Sequence, residues 1–269
     1  MKTRAITAFF FTIVMLGSIF LGAWTFTFFY LFLSVFSLAE FYKLIKTSGI
    51  RPHRNIGLVV SAFMFLITAG YHLYQFDTKY LLLLIPLVSA VFLGELYKKD
   101  KIPFGNIAYT FVGFVYVTVP FCFFYSLAFI QDFKTHNYHL PLAFLLLLWA
   151  SDTGAYLFGR KLGNHKLFER HSPKKTWEGF FGGMLTSILV SFVISLFFKE
   201  IPFLVWAGMA VLIVSFGTLG DLVESMLKRS LNAKDSGTLL PGHGGLLDRF
   251  DGLLIAAPVV FAYLYLVLN

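Results

Sequence analysis

Charge is scarce in this chain. Of its 269 residues only 13% are charged, 58% are hydrophobic, and the mean hydropathy is +0.76. A water-soluble domain carries about 25% charged residues, so a soluble globular fold is excluded. Cysteine is scarcer still. Cys122 stands alone inside an apolar run, which rules out a disulfide within the chain and reads as a small buried hydrophobe. The short-period alternation of an outer-membrane barrel is missing. So are internal repeats, a low-complexity tail, and any polar stretch long enough for a separate soluble domain.

What is present is a series of apolar runs close to the roughly 20 residues that a helix needs to cross a bilayer. Nine are read: Ile6–Leu21, Trp24–Tyr42, Ile56–Leu73, Tyr80–Leu96, Ile107–Phe129, Leu140–Phe158, Trp177–Phe198, Phe203–Val223 and Phe250–Leu268. The expected fold is an all-α, polytopic membrane bundle of about nine transmembrane helices, a single domain over 1–269. Only Gly22 and Ala23 separate the first two runs, which suits a tight hairpin. Lys2 and Arg4 before an apolar run resemble a signal peptide, but no small-residue cleavage site precedes the next run, so cleavage is not expected.

The net charge of +8 is topological rather than a sign of nucleic-acid binding. With nine spans, 19 of the 22 Lys and Arg residues fall on the side of the N-terminus. Lys79, Lys134 and Lys199 lie on the other. This bias assigns the rich side to the cytoplasm, with the N-terminus inside and Asn269 outside. Composition also shifts along the chain. Residues 1–140 are rich in Phe and Leu, as a scaffold would be. From Trp149 onward glycines and charges enter the spans, so 141–269 is the expected chemical half.

The most informative stretch runs from Asp221 to Asp251, DLVESMLKRSLNAKDSGTLLPGHGGLLDRFD. On a helix, Asp221, Ser225 and Lys228 share one face, as do Asp248 and Asp251. Two helix ends on one membrane side can then present Asp221, Asp248 and Asp251 to one point. Hard oxygen donors without Cys or clustered His favour Mg²⁺ over zinc. Between them, the glycines of Pro241-Gly242-His243-Gly244-Gly245 let backbone N–H groups approach a phosphate. His243 reads either as a hydrogen-bond donor to a leaving phosphate or as a general acid, against a merely solvated loop histidine.

Upstream, Asp152 sits within an apolar run, where a carboxylate needs protein, water or a cation beside it. Gly159-Arg160-Lys161-Leu162-Gly163 and His171-Ser172-Pro173-Lys174-Lys175 follow. Ser172 and Pro173 read as the N-cap and first residue of a helix, with Lys174 and Lys175 making an anion site. The alternative is a basic loop that only enforces topology. Gly179 and Gly183, four apart, read as a close helix contact.

These residues resemble the phosphatidate cytidylyltransferase (CDP-diacylglycerol synthase) family. The likeness lies in Ser225-Met-Leu-Lys228-Arg229, Lys234-Asp235-Ser-Gly237, Pro241-Gly-His243-Gly244-Gly245 and Asp248-Arg249-Phe250-Asp251. Ser151-Asp152-Thr153-Gly154-Ala155-Tyr156, Ser172-Pro173-Lys174-Lys175-Thr176-Trp177-Glu178-Gly179 and Gly220-Asp221 extend it. The first 140 residues match only in being apolar and multi-spanning. The resemblance implies that CTP and phosphatidate give CDP-diacylglycerol and pyrophosphate at the cytoplasmic leaflet of a bacterial inner membrane. It also implies Mg²⁺ with a second, monovalent cation, and a homodimer. The expected catalytic set is Asp221, Lys228, Arg229, His243, Asp248 and Asp251. Asp152, Arg160, Lys161, Ser172, Lys174, Lys175, Ser225, Lys234, Asp235, Gly244, Gly245 and Arg249 are expected to bind substrate. Two other readings are weighed. One is another CTP-dependent lipid cytidylyltransferase or lipid kinase. The other is a cation or proton transporter, which would set its acids near mid-membrane rather than at helix ends.

Overall fold

Apolar sequence becomes helix here because lipid leaves backbone groups no partner outside the segment itself. The computed structural model describes residues 2–130, 135–233, 235–237 and 244–268, the side chains of 2–6 and 8 excepted. Helix α1 covers Lys2–Phe20 and α2 covers Ala23–Lys46. The turn between them rests on Gly22 at φ 106°, a left-handed conformation that a side chain would strain. Helix α3 spans Arg54–Tyr74 and α4 spans Leu84–Leu96, the latter preceded by a 3₁₀ turn over Thr78–Leu83.

The fifth run is one continuous rod with a local irregularity. Helix α5 (Pro103–Gly113) passes through a π-helical turn, Phe114–Thr118, into α6 (Val119–Ser126) and a closing 3₁₀ turn, Leu127–Phe129. The π turn falls just before Pro120, whose missing N–H breaks the regular ladder. Helices α7 (His139–Leu162), α8 (Trp177–Phe197), α9 (Phe203–Ser230) and α10 (Leu247–Leu268) complete the bundle. Among the described residues, eight helical segments are long and apolar enough to cross a membrane, and the shorter apolar helix Phe9–Phe20 lies within α1. The expected runs and the helices coincide closely, but α9 continues to Ser230, seven residues past the expected end at Val223.

One local expectation fails. Ser172 and Pro173 do not start a helix. Lys166–Phe168 (β1) and Ser172–Thr176 (β2) pair antiparallel as a small hairpin, with Lys166 opposite Thr176 and Phe168 opposite Ser172. Proline pushes the residue before it towards extended backbone, which suits a strand as well as a helix entry. The true N-cap of α8 is Thr176. Its backbone is extended and its hydroxyl accepts from Gly179 N at 3.2 Å.

The N-terminal half is packed with aromatic rings. Phe26, Tyr30, Phe124, Tyr125 and Phe129 are fully buried around one another. At the end of the bundle that carries the basic loops, a polar cluster ties α3, α4 and α5 together. His53 contacts Glu95, Asn106 Nδ2 donates to Glu95 Oε1 at 2.7 Å, and His53 N donates to Thr110 Oγ1 at 2.9 Å. Buried polar groups of this kind are tolerated because each finds a partner.

Candidate active site

Glycines bring the C-terminal helices together. On α8, Gly179 lies against the Ala155 carbonyl and Gly183 against the Ser151 carbonyl of α7; a Cβ would stand 2.9 and 2.8 Å from those oxygens. The expected close helix contact is therefore made between α7 and α8. On α9, Gly217 and Gly220 face Gly252 and the Asp251 backbone of α10. Any larger residue at Gly220 would push Asp221 and Asp251 apart.

These contacts frame a cavity of about 480 Å³. Its polar lining comes from four places: Asp152 on α7, Lys174, Lys175 and Thr176 on β2, Thr218 and Asp221 on α9, and Asp248, Arg249 and Asp251 on α10. Asp152, Asp221 and Asp251 line it together with Lys175. Lys175 Nζ pairs with Asp221 Oδ2 at 2.6 Å, while Ser225 Oγ donates to Asp221 Oδ1 at 3.2 Å. Asp251 Oδ1 accepts from Gly252 N at 2.7 Å.

Asp248 is engaged differently. Its Oδ1 accepts from Lys228 Nζ at 2.7 Å, and its Oδ2 accepts from Ser236 N at 3.0 Å and Gly245 N at 2.8 Å. Lys228 also pairs with Glu224, whose side chain is wholly buried. Gly244 adopts φ +85°, and a Cβ there would stand 2.7 Å from Asp248 Oδ2. Asp248 thus gathers α9, the 235–237 segment and the glycine loop around the first turn of α10.

The donor chemistry fits a hard divalent ion. Four acids (Asp152, Asp221, Asp248 and Asp251) and three bases (Lys174, Lys175 and Arg249) line the cavity, so carboxylates outnumber cations by one, and among the described residues neither sulfur nor imidazole lines it. Asp221 and Asp251 keep carboxylate lone pairs available. Both Asp248 oxygens are taken by protein donors, so its ligation needs one of those bonds to open. Among the described residues, no three acidic, His or Cys side chains are already drawn into a ligating cluster.

Of the other expected site residues, those among the described residues fall outside the cavity lining. Arg160 and Lys161 are exposed in the last turn of α7, where Arg160 Nη1 donates to Tyr156 Oη at 3.3 Å. Ser172 lies on β2, and Arg229 is exposed near the end of α9. Asp235, Gly244 and Gly245 belong to the segments beside Asp248. Lys234 and His243 lie outside the described residues. Two groups escaped the sequence reading. Glu224 sits four residues before Lys228, a spacing that signals an ion pair on a helix. Glu40 is a carboxylate inside the second apolar run; its Oε2 accepts from Leu247 N at 3.0 Å.

Fold and site together define a multi-spanning helical membrane protein with a polar cavity, lined by acids and bases, among its C-terminal helices. Residues 2–267 match the cytidylyltransferase family, and the chain belongs to it. It is 35% identical over 268 residues to a phosphatidate cytidylyltransferase of Staphylococcus haemolyticus, covering 97% of each chain. It is 35% identical over 263 residues to that of Staphylococcus aureus, again covering 97% of each. A Staphylococcus epidermidis relative of the same name is 43% identical over 164 residues, 60% of each chain.

Proposed function

We propose that the chain transfers a cytidylyl group from CTP to phosphatidate. A lipid phosphate oxygen attacks the α-phosphorus of CTP, the bond to the bridging α–β oxygen breaks, and pyrophosphate leaves with that electron pair. The products are CDP-diacylglycerol and pyrophosphate. The observation that carries this reading is the cavity in which Asp152, Asp221 and Asp251 meet Lys174 and Lys175 at the end of four helices.

The reaction joins two anions, so charge neutralisation is its main demand. Lys174 and Lys175 stand on a strand leading into the N-terminus of α8, where positive side chains and the helix dipole add. They would bind the triphosphate and the departing pyrophosphate. Arg249, which also lines the cavity, adds a bidentate donor. The attacking phosphate is already ionised near neutral pH, so the site needs no strong general base.

Asp221, Asp248 and Asp251 would hold Mg²⁺, with a monovalent cation beside it. When bound, the metal screens the phosphates from each other. Ser225 holds Asp221 in place, and Lys228 holds Asp248 while neutralising Glu224. His243, Lys234, Asp235, Gly244 and Gly245 would contact phosphate from the loop, and Arg160, Lys161, Ser172 and Arg229 would add positive potential or donors at its rim. The protein would work in a bacterial inner membrane as a homodimer, with its N-terminus and cavity facing the cytoplasm and its C-terminus outside. The charge bias of the loops supports that orientation.

The test is purified protein with CTP and phosphatidate in mixed micelles, followed for pyrophosphate and CDP-diacylglycerol. Stoichiometric formation of both is expected. CTP hydrolysis without lipid product, or transfer to other lipid phosphates in preference, would overturn the assignment.

A further inference from the structure

A second and larger cavity lies beside the 235–237 segment. It has a volume of about 960 Å³ and lies between the ends of α2 and α3. Gly237 lines it, while the adjacent Ser236 N donates to Asp248, which lines the catalytic cavity. The 235–237 segment thus links the two cavities.

The groove is graded along its length. On α2, Phe32, Phe36, Ala39, Lys43 and Lys46 follow spacings of four, three, four and three, which places them in one stripe down the helix. Phe32 and Phe36 are exposed and stacked, with ring centroids 4.1 Å apart. Phe36 and Ala39 line the groove, and Leu58 lines it from α3. At Lys43 the stripe turns cationic, and Lys43, Lys46, Arg51 and Arg54 surround that end. All four are exposed. Arg51 has a long pairing with Asp100 at 3.7 Å; Lys43, Lys46 and Arg54 have no ion pair among the described residues. The acid in the lining, Glu40, is turned to Leu247 N.

The cationic end is also held rigid. Arg51 N donates to Asn106 Oδ1 at 2.7 Å and the next turn is fixed by His53 N on Thr110 Oγ1, so the 51–54 segment is anchored to α5. Topology alone would ask for mobile lysines, not for a backbone fixed by buried side chains.

We propose that this groove is a docking site for a glycerolipid with a terminal phosphomonoester, which rests there before its headgroup enters the catalytic cavity. Acyl chains lie along the apolar stripe and the dianionic phosphate meets the four cations. A phosphomonoester carries more charge than the phosphodiester of bulk anionic lipids, which matches four basic groups with a single engaged acid. This inference rests on the cytidylyl-transfer reading in naming phosphatidate as the lipid.

The test uses the full chain in detergent, with Lys43→Gln/Lys46→Gln and the charge-preserving Lys43→Arg/Lys46→Arg. Retention of dioleoyl phosphatidate and of dioleoyl phosphatidylglycerol is read by native mass spectrometry, beside steady-state kinetics. The Gln pair should weaken phosphatidate retention and raise its KM roughly tenfold, since each cation at an anionic headgroup counts for severalfold in affinity. KM for CTP should move far less, and the Arg pair should keep both properties. Equal retention of phosphatidylglycerol by the parent protein would overturn the proposal in favour of a general lipid annulus. Unchanged retention and KM in the Gln pair would overturn it outright. So would loss of a dimer in the Gln pair with KM unmoved, which would make the groove a subunit interface. If the parent protein binds phosphatidate at these lysines yet makes no CDP-diacylglycerol, the groove stands and the activity reading falls.

Discussion

Glu40 Oε2 accepts a hydrogen bond from Leu247 N at 3.0 Å, across 207 residues of sequence. The first amides of a helix have no partner inside it, and here a side chain from α2 supplies one. Gly237 and Gly245 both close on Glu40; a Cβ at either would stand 2.5 Å from one of its oxygens. The scaffold half thus fixes the starting point of the helix that carries Asp248 and Asp251.

Glu40→Ala leaves the Leu247 amide buried without an acceptor, a loss of about 1–3 kcal/mol. Thermal unfolding in detergent should drop accordingly, and kcat should fall because α10 loses its anchor. Glu40→Gln keeps an acceptor oxygen and should retain most of both. Equal damage from Ala and Gln would show that charge, not the hydrogen bond, is what matters at this position.

Lys228 holds two acids at once. Removing it as Lys228→Ala strands the wholly buried Glu224 beside Asp248. Breaking a buried pair from one side costs about 3–5 kcal/mol. Lys228→Ala should therefore be poorly folded, while Lys228→Ala/Glu224→Gln recovers part of the stability without recovering turnover. Chemical denaturation of the two variants separates these effects.

Asp248→Asn should lower turnover by about 100-fold or more, the scale seen when a group preorganised for transition-state charge is lost. Asn keeps only one acceptor oxygen for Lys228 and the Ser236 and Gly245 amides, so the thermal midpoint should also fall, by the equivalent of about 1–3 kcal/mol, and turnover is compared per folded protein. Full activity in this variant would remove Asp248 from the site.

The helical membrane bundle and the order of its apolar helices were readable in the sequence, because apolar length acts locally; of the nine runs expected, eight are long enough to span among the described residues and the first is a shorter apolar helix. That Asp221, Asp248 and Asp251 face one cavity was also legible, since all three stand at the ends of two successive apolar runs. The start of α8 was not. Ser172-Pro173 satisfies the local rules for a strand and for a helix entry alike, and the pairing with Lys166–Phe168 decided between them. Glu224 carried a signal in its spacing from Lys228. Glu40 carried only the oddity of an acid in an apolar helix; its partner lies at the far end of the chain, and no local pattern reaches that distance.

Loop sidedness gives a further expectation. In a Cys122→Ser background, Lys199→Cys should react with an impermeant maleimide added to intact cells, and Arg170→Cys only after the membrane is opened. The reverse pattern would invert the bundle and move the cavity to the outer face.

The account depends on acids from separate helices converging on a divalent ion, and Mn²⁺ tests this without requiring turnover. Titrating the purified protein with Mn²⁺ and reading free ion by electron paramagnetic resonance should reveal a bound population in the parent protein. That population should be lost in Asp221→Asn/Asp251→Asn, with the fold retained. Undiminished Mn²⁺ binding by the folded double variant would contradict the account.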